Sequence, residues 1–172
     1  MSQRDSGYKR KEFDRYETPE WVTKCLLPHI PKRVTEVWEP ACGSGKMSRV
    51  LQSAGYHVYG TDIETGQNFL TKESEVIYTA DAIITNPPYA DALAFIDMAL
   101  SITDFVAMLL RTDYDHASSR ARLFTKGRFA KKLVLTKRIK WFEDSKGQPS
   151  FNHAWFIWDD DHMGPPTLAY AP

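Results

Sequence analysis

Two short stretches of the chain carry residue types that could do chemistry. The first is Glu39-Pro40-Ala41-Cys42-Gly43-Ser44-Gly45, followed 17 positions beyond Gly45 by Asp62. A glycine-rich turn between a strand and a helix presents backbone N–H groups at the helix start and binds an anionic or zwitterionic ligand there. Three ligand classes compete for it. A phosphate-cradling loop needs G-x-x-x-x-G-K-[ST]; Gly45-Lys46 fits, but Pro40 and Met47 stand where glycine and a hydroxyl residue are required. A dinucleotide fingerprint fits Gly43 and Gly45 and then meets Ser48 in place of its third glycine. An S-adenosylmethionine loop accounts for the acids too. Glu39 at the mouth of the first strand would repel a pyrophosphate and attract a sulfonium that also carries an ammonium group. Asp62, ending the second strand, stands where a carboxylate accepts both ribose hydroxyls. The competing reading is a plain strand–helix turn whose glycines serve tight packing.

The second stretch is Asn86-Pro87-Pro88-Tyr89, directly after a buried apolar run. On these four residues the chain resembles the amino-methyltransferases, above all the N6-adenine DNA methyltransferases. The resemblance implies that the tetrapeptide holds a methyl-accepting amine. An exocyclic amino group is a poor nucleophile because its lone pair is delocalised into the ring. The Asn86 side-chain oxygen and the Pro87 carbonyl could accept its two N–H bonds and favour a tetrahedral nitrogen. Tandem prolines fix φ and pre-set the carbonyl, and the Tyr89 ring offers a surface for an extruded base. The competing reading is a polar turn after an ordinary strand.

By position, the resemblance implies further assignments. Tyr16-Glu17-Thr18-Pro19 looks like the segment lining the methionine end of the cofactor. Ala41, Cys42, Gly43 and Gly45 fall in the first cofactor motif, and Asp62-Ile63 in the second. Asn68-Phe69-Leu70 resembles a D-F-L segment that meets the cofactor's adenine, with Asn in place of Asp, and Phe69 also reads as core. Trp141 or Phe142, in the late hairpin, would stack on the target base. His153 reads as a structural or surface histidine rather than a general base. The implied fold is a Rossmann-like methyltransferase: a mostly parallel seven-stranded sheet with a C-terminal antiparallel hairpin and helices on both faces.

The elements that must position these residues are legible in the pattern. Thr18 reads as an N-cap with Pro19 at the first helical position, and Pro28 and Pro31 end that helix. Strands are expected at Val34–Trp38, His57–Gly60, Asp81–Thr85, Phe105–Leu110, Lys131–Lys137 and Ala154–Trp158, with a weaker one at Val76–Tyr78. Helices are expected at Lys46–Ala54, closed by Gly55, and at Ala90–Ser101. Such alternation gives an open parallel sheet covered on both faces. Residues 1–12 read as a flexible arm, 13–160 as the methyltransferase domain, and 161–172 as an irregular tail.

Composition adds the partner. Among 172 residues, 22 Lys and Arg balance 22 Asp and Glu. The charge is polarised, however: residues 111–146 hold eleven basic and four acidic residues, a net +7 against −7 elsewhere. A basic stretch of this size suggests a polyanion. Thr112 to Arg128 reads as a loop-like insertion whose Arg120, Arg122, Lys126 and Arg128 could neutralise phosphates without reading bases; a solvated helix face is the alternative. No segment fits a target-recognition domain, so sequence choice is expected to be weak or to come from a partner chain or a second copy. Cys25 and Cys42 form no zinc-like spacing, and no apolar run approaches a membrane span; the expectation is a reduced, cytoplasmic enzyme without a metal. Adenine in DNA is the expected acceptor. Adenine in RNA, a protein glutamine amide, and a non-catalytic nucleic-acid-binding module are the rivals.

Overall fold

Apolar residues that alternate along the strands supply both faces of one sheet. The computed structural model describes residues 16–71, 80–125, 128–141 and 151–172. Among these, seven strands pair: β1 Glu36–Glu39, β2 His57–Gly60, β3 Ala82–Thr85, β4 Phe105–Arg111, β5 Phe129–Leu135, β6 His153–Asp159 and β7 Thr167–Ala171. Their order is β2-β1-β3-β4-β6-β5-β7. The first four run parallel, β6 is antiparallel to β4 and β5, and β7 returns parallel to β5. The mostly parallel, seven-stranded mixed sheet matches expectation.

Among the described residues four α-helices accompany it: α1 Glu20–Leu26, α2 Lys46–Ser53, α3 Ala92–Ile102 and α4 Ala121–Thr125. Strand β4 explains why helices are needed on both sides. Its Phe105, Ala107 and Leu109 join one core with Val22 and Leu26 of α1 and Met47 and Leu51 of α2. Val106, Met108 and Leu110 join the other with Phe95, Ile96 and Ala99 of α3 and Leu123 of α4. A strand buried on both faces reads as an unbroken apolar run, and Phe105–Leu110 is one. Chain reversal after α2 uses Gly55, which at φ 99° adopts the left-handed conformation expected of a residue just past a helix end.

Several local expectations are corrected. The residues after 161 are not an irregular tail: once past Gly164-Pro165-Pro166 the chain forms β7, seated on β5 from Lys131↔Thr167 to Leu135↔Ala171. The sevenfold strand count therefore includes β7. The weak strand at Val76–Tyr78 lies outside the described residues, as do the arm at 1–12 and the turn around Gly147-Gln148-Pro149. Pro19, not Thr18, is the N-cap of α1, and no side chain caps that helix. Its carbonyl takes the first bond, from the Val22 N–H at 3.0 Å. The segment expected as a loop-like insertion, Thr112 to Arg128, is not a loop over its described residues 112–125. It folds as two 3-10 turns and α4, with Tyr114 and Leu123 buried against the sheet and the Trp158 indole donating to the Leu123 carbonyl at 2.8 Å.

Arg128 is the clearest case of a cation claimed by the fold. Its guanidinium donates to the Leu100 carbonyl at 2.5 Å and the Thr103 carbonyl at 3.0 Å, and pairs with Asp160. This cluster lies where β4 begins, at the sheet end opposite Glu39 and Asn86. An Arg128→Met chain is expected to lose about 1–3 kcal/mol of stability, because charge-assisted bonds to backbone carbonyls are lost. Denaturant titration measures this.

Candidate active site

Strands β1, β2 and β3 each deliver a polar residue to the C-terminal end of the sheet, and those residues border one cavity of about 600 Å³. The volume lies within the usual range for a small-molecule site. Glu39 ends β1, Asp62 follows β2, and Asn86-Pro87-Pro88-Tyr89 follows β3.

The loop from β1 to α2 is shaped by its own backbone. Cys42 N–H donates to the Thr61 carbonyl at 3.0 Å, and Thr61 N–H donates to the Glu39 carbonyl at 2.9 Å, extending the β1–β2 pairing. The chain then turns tightly, with Gly45 N–H on the Cys42 carbonyl at 2.7 Å. Gly43 and Gly45 hold φ of 51° and 78°, a region other residues enter at a cost. The Asp62 carboxylate fastens this loop from the end of β2, one oxygen accepting from Gly43 N–H at 2.8 Å and the other from Glu64 N–H at 3.0 Å. Each oxygen keeps further acceptor capacity, since an ionised carboxylate offers about four lone-pair sites.

Gly60 is a residue the sequence reading missed. A Cβ there would stand 3.1 Å from Cys42 Cβ, 3.2 Å from Cys42 Sγ and 3.2 Å from Ser48 Oγ. No glycine motif flags it, because the close approach comes from the loop crossing β2. Gly60→Ala is expected to destabilise the chain by about 1–2 kcal/mol through overpacking and to weaken ligand binding at the loop. Thermal melts with and without ligand check both.

Glu39 is the main electrostatic feature. It is 3% exposed yet borders the cavity, and the Ser48 hydroxyl donates to it. Burial pushes its carboxyl up to about 8, with Asp62 pushing the same way and the Ser48 bonds opposing. A buried acid that borders a cavity, with the Arg49 charge the weakest of the influences on it, suits a cationic ligand. Burial and the two nearby acids likewise raise the Cys42 thiol to about 11, so it is no nucleophile.

The cavity is bordered by Tyr16, Thr18, Ala41, Cys42, Gly43 and Ile63, together with Glu39, Asp62, Asn68 and Phe69. Gly45 is not on its wall and acts through the turn. Asn68 accepts from Leu70 N–H at 3.0 Å, so its oxygen serves a local turn and its amide N–H groups remain for a ligand. Phe69 is both wall and core, packed edge-on against Trp38 at 5.1 Å and against Phe95 at 4.9 Å. Lys46 and Glu17 also border the cavity and pair at 2.9 Å, tying the segment before α1 to the start of α2. Nothing in local sequence pairs them.

At the other end stands the tetrapeptide. Asn86 Nδ2 donates to the Tyr16 carbonyl at 3.0 Å, which turns the amide oxygen the other way. The next turn draws its bond from Pro88, whose carbonyl accepts from Asp91 N–H at 3.1 Å, and not from Pro87. Asn86 and Pro88 border the cavity, while Pro87 is buried behind them. Tyr89 lies in an aromatic group with Tyr16 at 6.0 Å and His153 at 6.3 Å. Trp141 closes the group, 5.4 Å from Tyr16 and edge-on to His153 at 5.2 Å. His153 is thus buried, not a surface residue, and takes part in a 2.7 Å hydrogen bond between its Nε2 and the Tyr89 hydroxyl. Burial, helped by Arg111, lowers it to about 4, so it is neutral near pH 7.

Two of the expected phosphate contacts are engaged elsewhere. Arg122 pairs with Asp97 of α3 at 2.5 Å, on the flank of the sheet, and Arg128 is held at its far end. Arg120 lies over the Tyr114 ring at 4.0 Å. Lys126 and Phe142 lie outside the described residues.

No protein-family model matches the chain, and no curated protein matches it. Solved structures do. A candidate class I S-adenosylmethionine-dependent methyltransferase from Listeria monocytogenes superposes with a TM-score of 0.63 at 16% identity, over 90% of this chain and 65% of that one. The methyltransferase subunit of a type I restriction-modification system from Streptococcus thermophilus gives 0.59 at 13%, over 86% and 45%. A candidate RNA methyltransferase from Pyrococcus horikoshii gives 0.53 at 15%, over 86% and 88%. The chain thus spans about two thirds or less of the first two. The fold is the Rossmann-like methyltransferase fold, a seven-stranded mixed sheet with helices.

Proposed function

We propose that the chain transfers a methyl group from S-adenosylmethionine to the exocyclic N6 amino group of adenine in DNA. The observation that carries this reading is the Asn86 carboxamide, locked through its nitrogen to the Tyr16 carbonyl at 3.0 Å, beside a cavity holding a buried acid. The donor set suits the cofactor. Glu39 would face its cationic end, Asp62 its ribose hydroxyls, and Ile63, Phe69 and Asn68 its adenine, with Tyr16 and Thr18 at the methionine end. When bound, the cofactor supplies an electrophilic methyl on sulfur.

The chain's own residues prepare the acceptor. The Asn86 oxygen and the Pro87 carbonyl accept the two amine hydrogens and free the nitrogen lone pair. Tyr89 and Trp141 stack on the extruded base, and direct transfer then needs chiefly proximity and in-line orientation. Aromatic walls favour a planar base over a glutamine side chain. The product nitrogen sheds its proton to solvent, so the neutral His153 is assigned no proton transfer. Any preference for a DNA sequence is assigned to a partner chain or a second copy.

Nucleoside mass spectrometry on DNA, RNA and protein treated with the chain and cofactor tests the proposal. N6-methyladenine in DNA is expected. Methylation of RNA or glutamine alone would redirect it, and a chain that takes up cofactor yet modifies nothing would leave a binding module.

A further inference from the structure

Among the described residues, the basic side chains of 111–141 are dispersed by the fold rather than gathered on one face. Arg128 is held at the end away from the cavity and Arg122 on the flank. Arg111, Arg138 and Lys140 belong to the cavity end, where β4 and β5 finish, close to Trp141. An aromatic ring lies among them. Phe151 is 38% exposed, two residues before His153, and the Arg111 guanidinium lies over it, 4.0 Å from the centroid.

Two contacts make this a continuous rim. Thr112 N–H donates to the Asn152 carbonyl at 3.0 Å, and Arg138 Nε donates to the Asn152 side-chain oxygen at 2.8 Å. Arg111 pairs in register with His153, whose imidazole meets Tyr89. The exposed ring is therefore joined through one strand end to the tetrapeptide. Asp113 holds Arg111 through two bonds, at 2.6 and 3.0 Å. That pairing offsets the Arg111 charge and leaves its flat guanidinium suited to stacking more than to clamping a phosphate. Lys140 and Arg138 are exposed at the same end of the sheet, Arg138 being engaged by Asn152.

We propose that Phe151 and Arg111 form a stacking platform for the nucleotide next to the target adenine in an unpaired DNA strand, with Lys140 toward its phosphates. The inference rests on the methyl-transfer reading and deepens it. Stacking on a protein ring needs a base whose face is not covered by its neighbours. A single strand offers such faces and an intact duplex does not.

Fluorescence anisotropy with a labelled single strand of about 20 nucleotides, and with the matching duplex, tests the platform. Phe151→Ala is expected to weaken single-strand binding about 5- to 100-fold and to leave duplex binding within about twofold, since no stacking is lost there. Arg122→Gln should alter neither. Undiminished single-strand affinity in Phe151→Ala, or an equal loss on duplex, overturns the platform. A parent chain that methylates DNA while Phe151→Ala binds normally defeats only this inference. A parent chain that takes up cofactor but methylates no nucleic acid defeats the reading beneath it.

Discussion

Asn86→Ala is expected to lower the rate of methyl transfer by about 10²–10³-fold while cofactor affinity changes little. Losing one preorganised acceptor at the reacting centre has an effect of that order. The carboxamide is poised for this role because its nitrogen is already occupied by the Tyr16 carbonyl, so its oxygen needs no reorientation when an amine arrives. Single-turnover transfer of a labelled methyl group measures the rate, and calorimetry measures cofactor uptake. The variant also loses the bond to Tyr16, for which about 1 kcal/mol of stability is expected. A rate within a few-fold of the parent would remove Asn86 from the site.

The second large effect concerns Glu39, and its sign differs between stability and binding. Its carboxyl is raised from the ordinary 4.5 to about 8 in the folded chain. Between those pH values the folded chain holds a proton that the unfolded chain has released. Stability therefore falls as pH rises through this window, by at most about 1.4 kcal/mol per pH unit, and levels off above the upper value. Glu39→Gln removes this dependence, so the variant should be the more stable protein at pH 8 by denaturant titration. A cationic ligand reverses the preference and draws the proton off. Parent affinity for S-adenosylmethionine should rise up to about tenfold per pH unit and flatten above pH 8, with proton release detectable by calorimetry in buffers of different ionisation enthalpy. The variant should show a flat profile and bind about 10- to 100-fold more weakly, the loss expected for a bond to a charged group. PH-independent parent binding would argue that Glu39 meets no cation.

The residues that could be read from the chain are those whose role is fixed by neighbours in sequence. A strand, two glycines with positive φ and a helix announce Glu39 to Gly45, and a run of apolar residues announces β3 before Asn86. Roles set across the chain were hidden. Arg128 looks like any surface cation until Leu100, Thr103 and Asp160 are brought beside it. Strand β7 is short, with Leu168 and Tyr170 exposed at 59% and 64% and two prolines just before it. It lacks the two-sided apolar run that marks β4. His153 shows its importance only through Tyr89, 64 residues away. Gly60 matters because of what crosses over it.

The ladder between β4 and β6 runs over seven paired positions, from Phe105↔Asp159 to Arg111↔His153, with nearly every side chain buried. The residues proposed to hold the methyl donor lie in the parallel half on one side of this seam, while Trp141 and His153 belong to the antiparallel half on the other. Among the described residues this seam is unbroken, which holds the two halves in one orientation. For the proposed reaction, the spacing from methyl source to recipient would then be a fixed dimension of the scaffold, and the travelling would fall to the nucleotide.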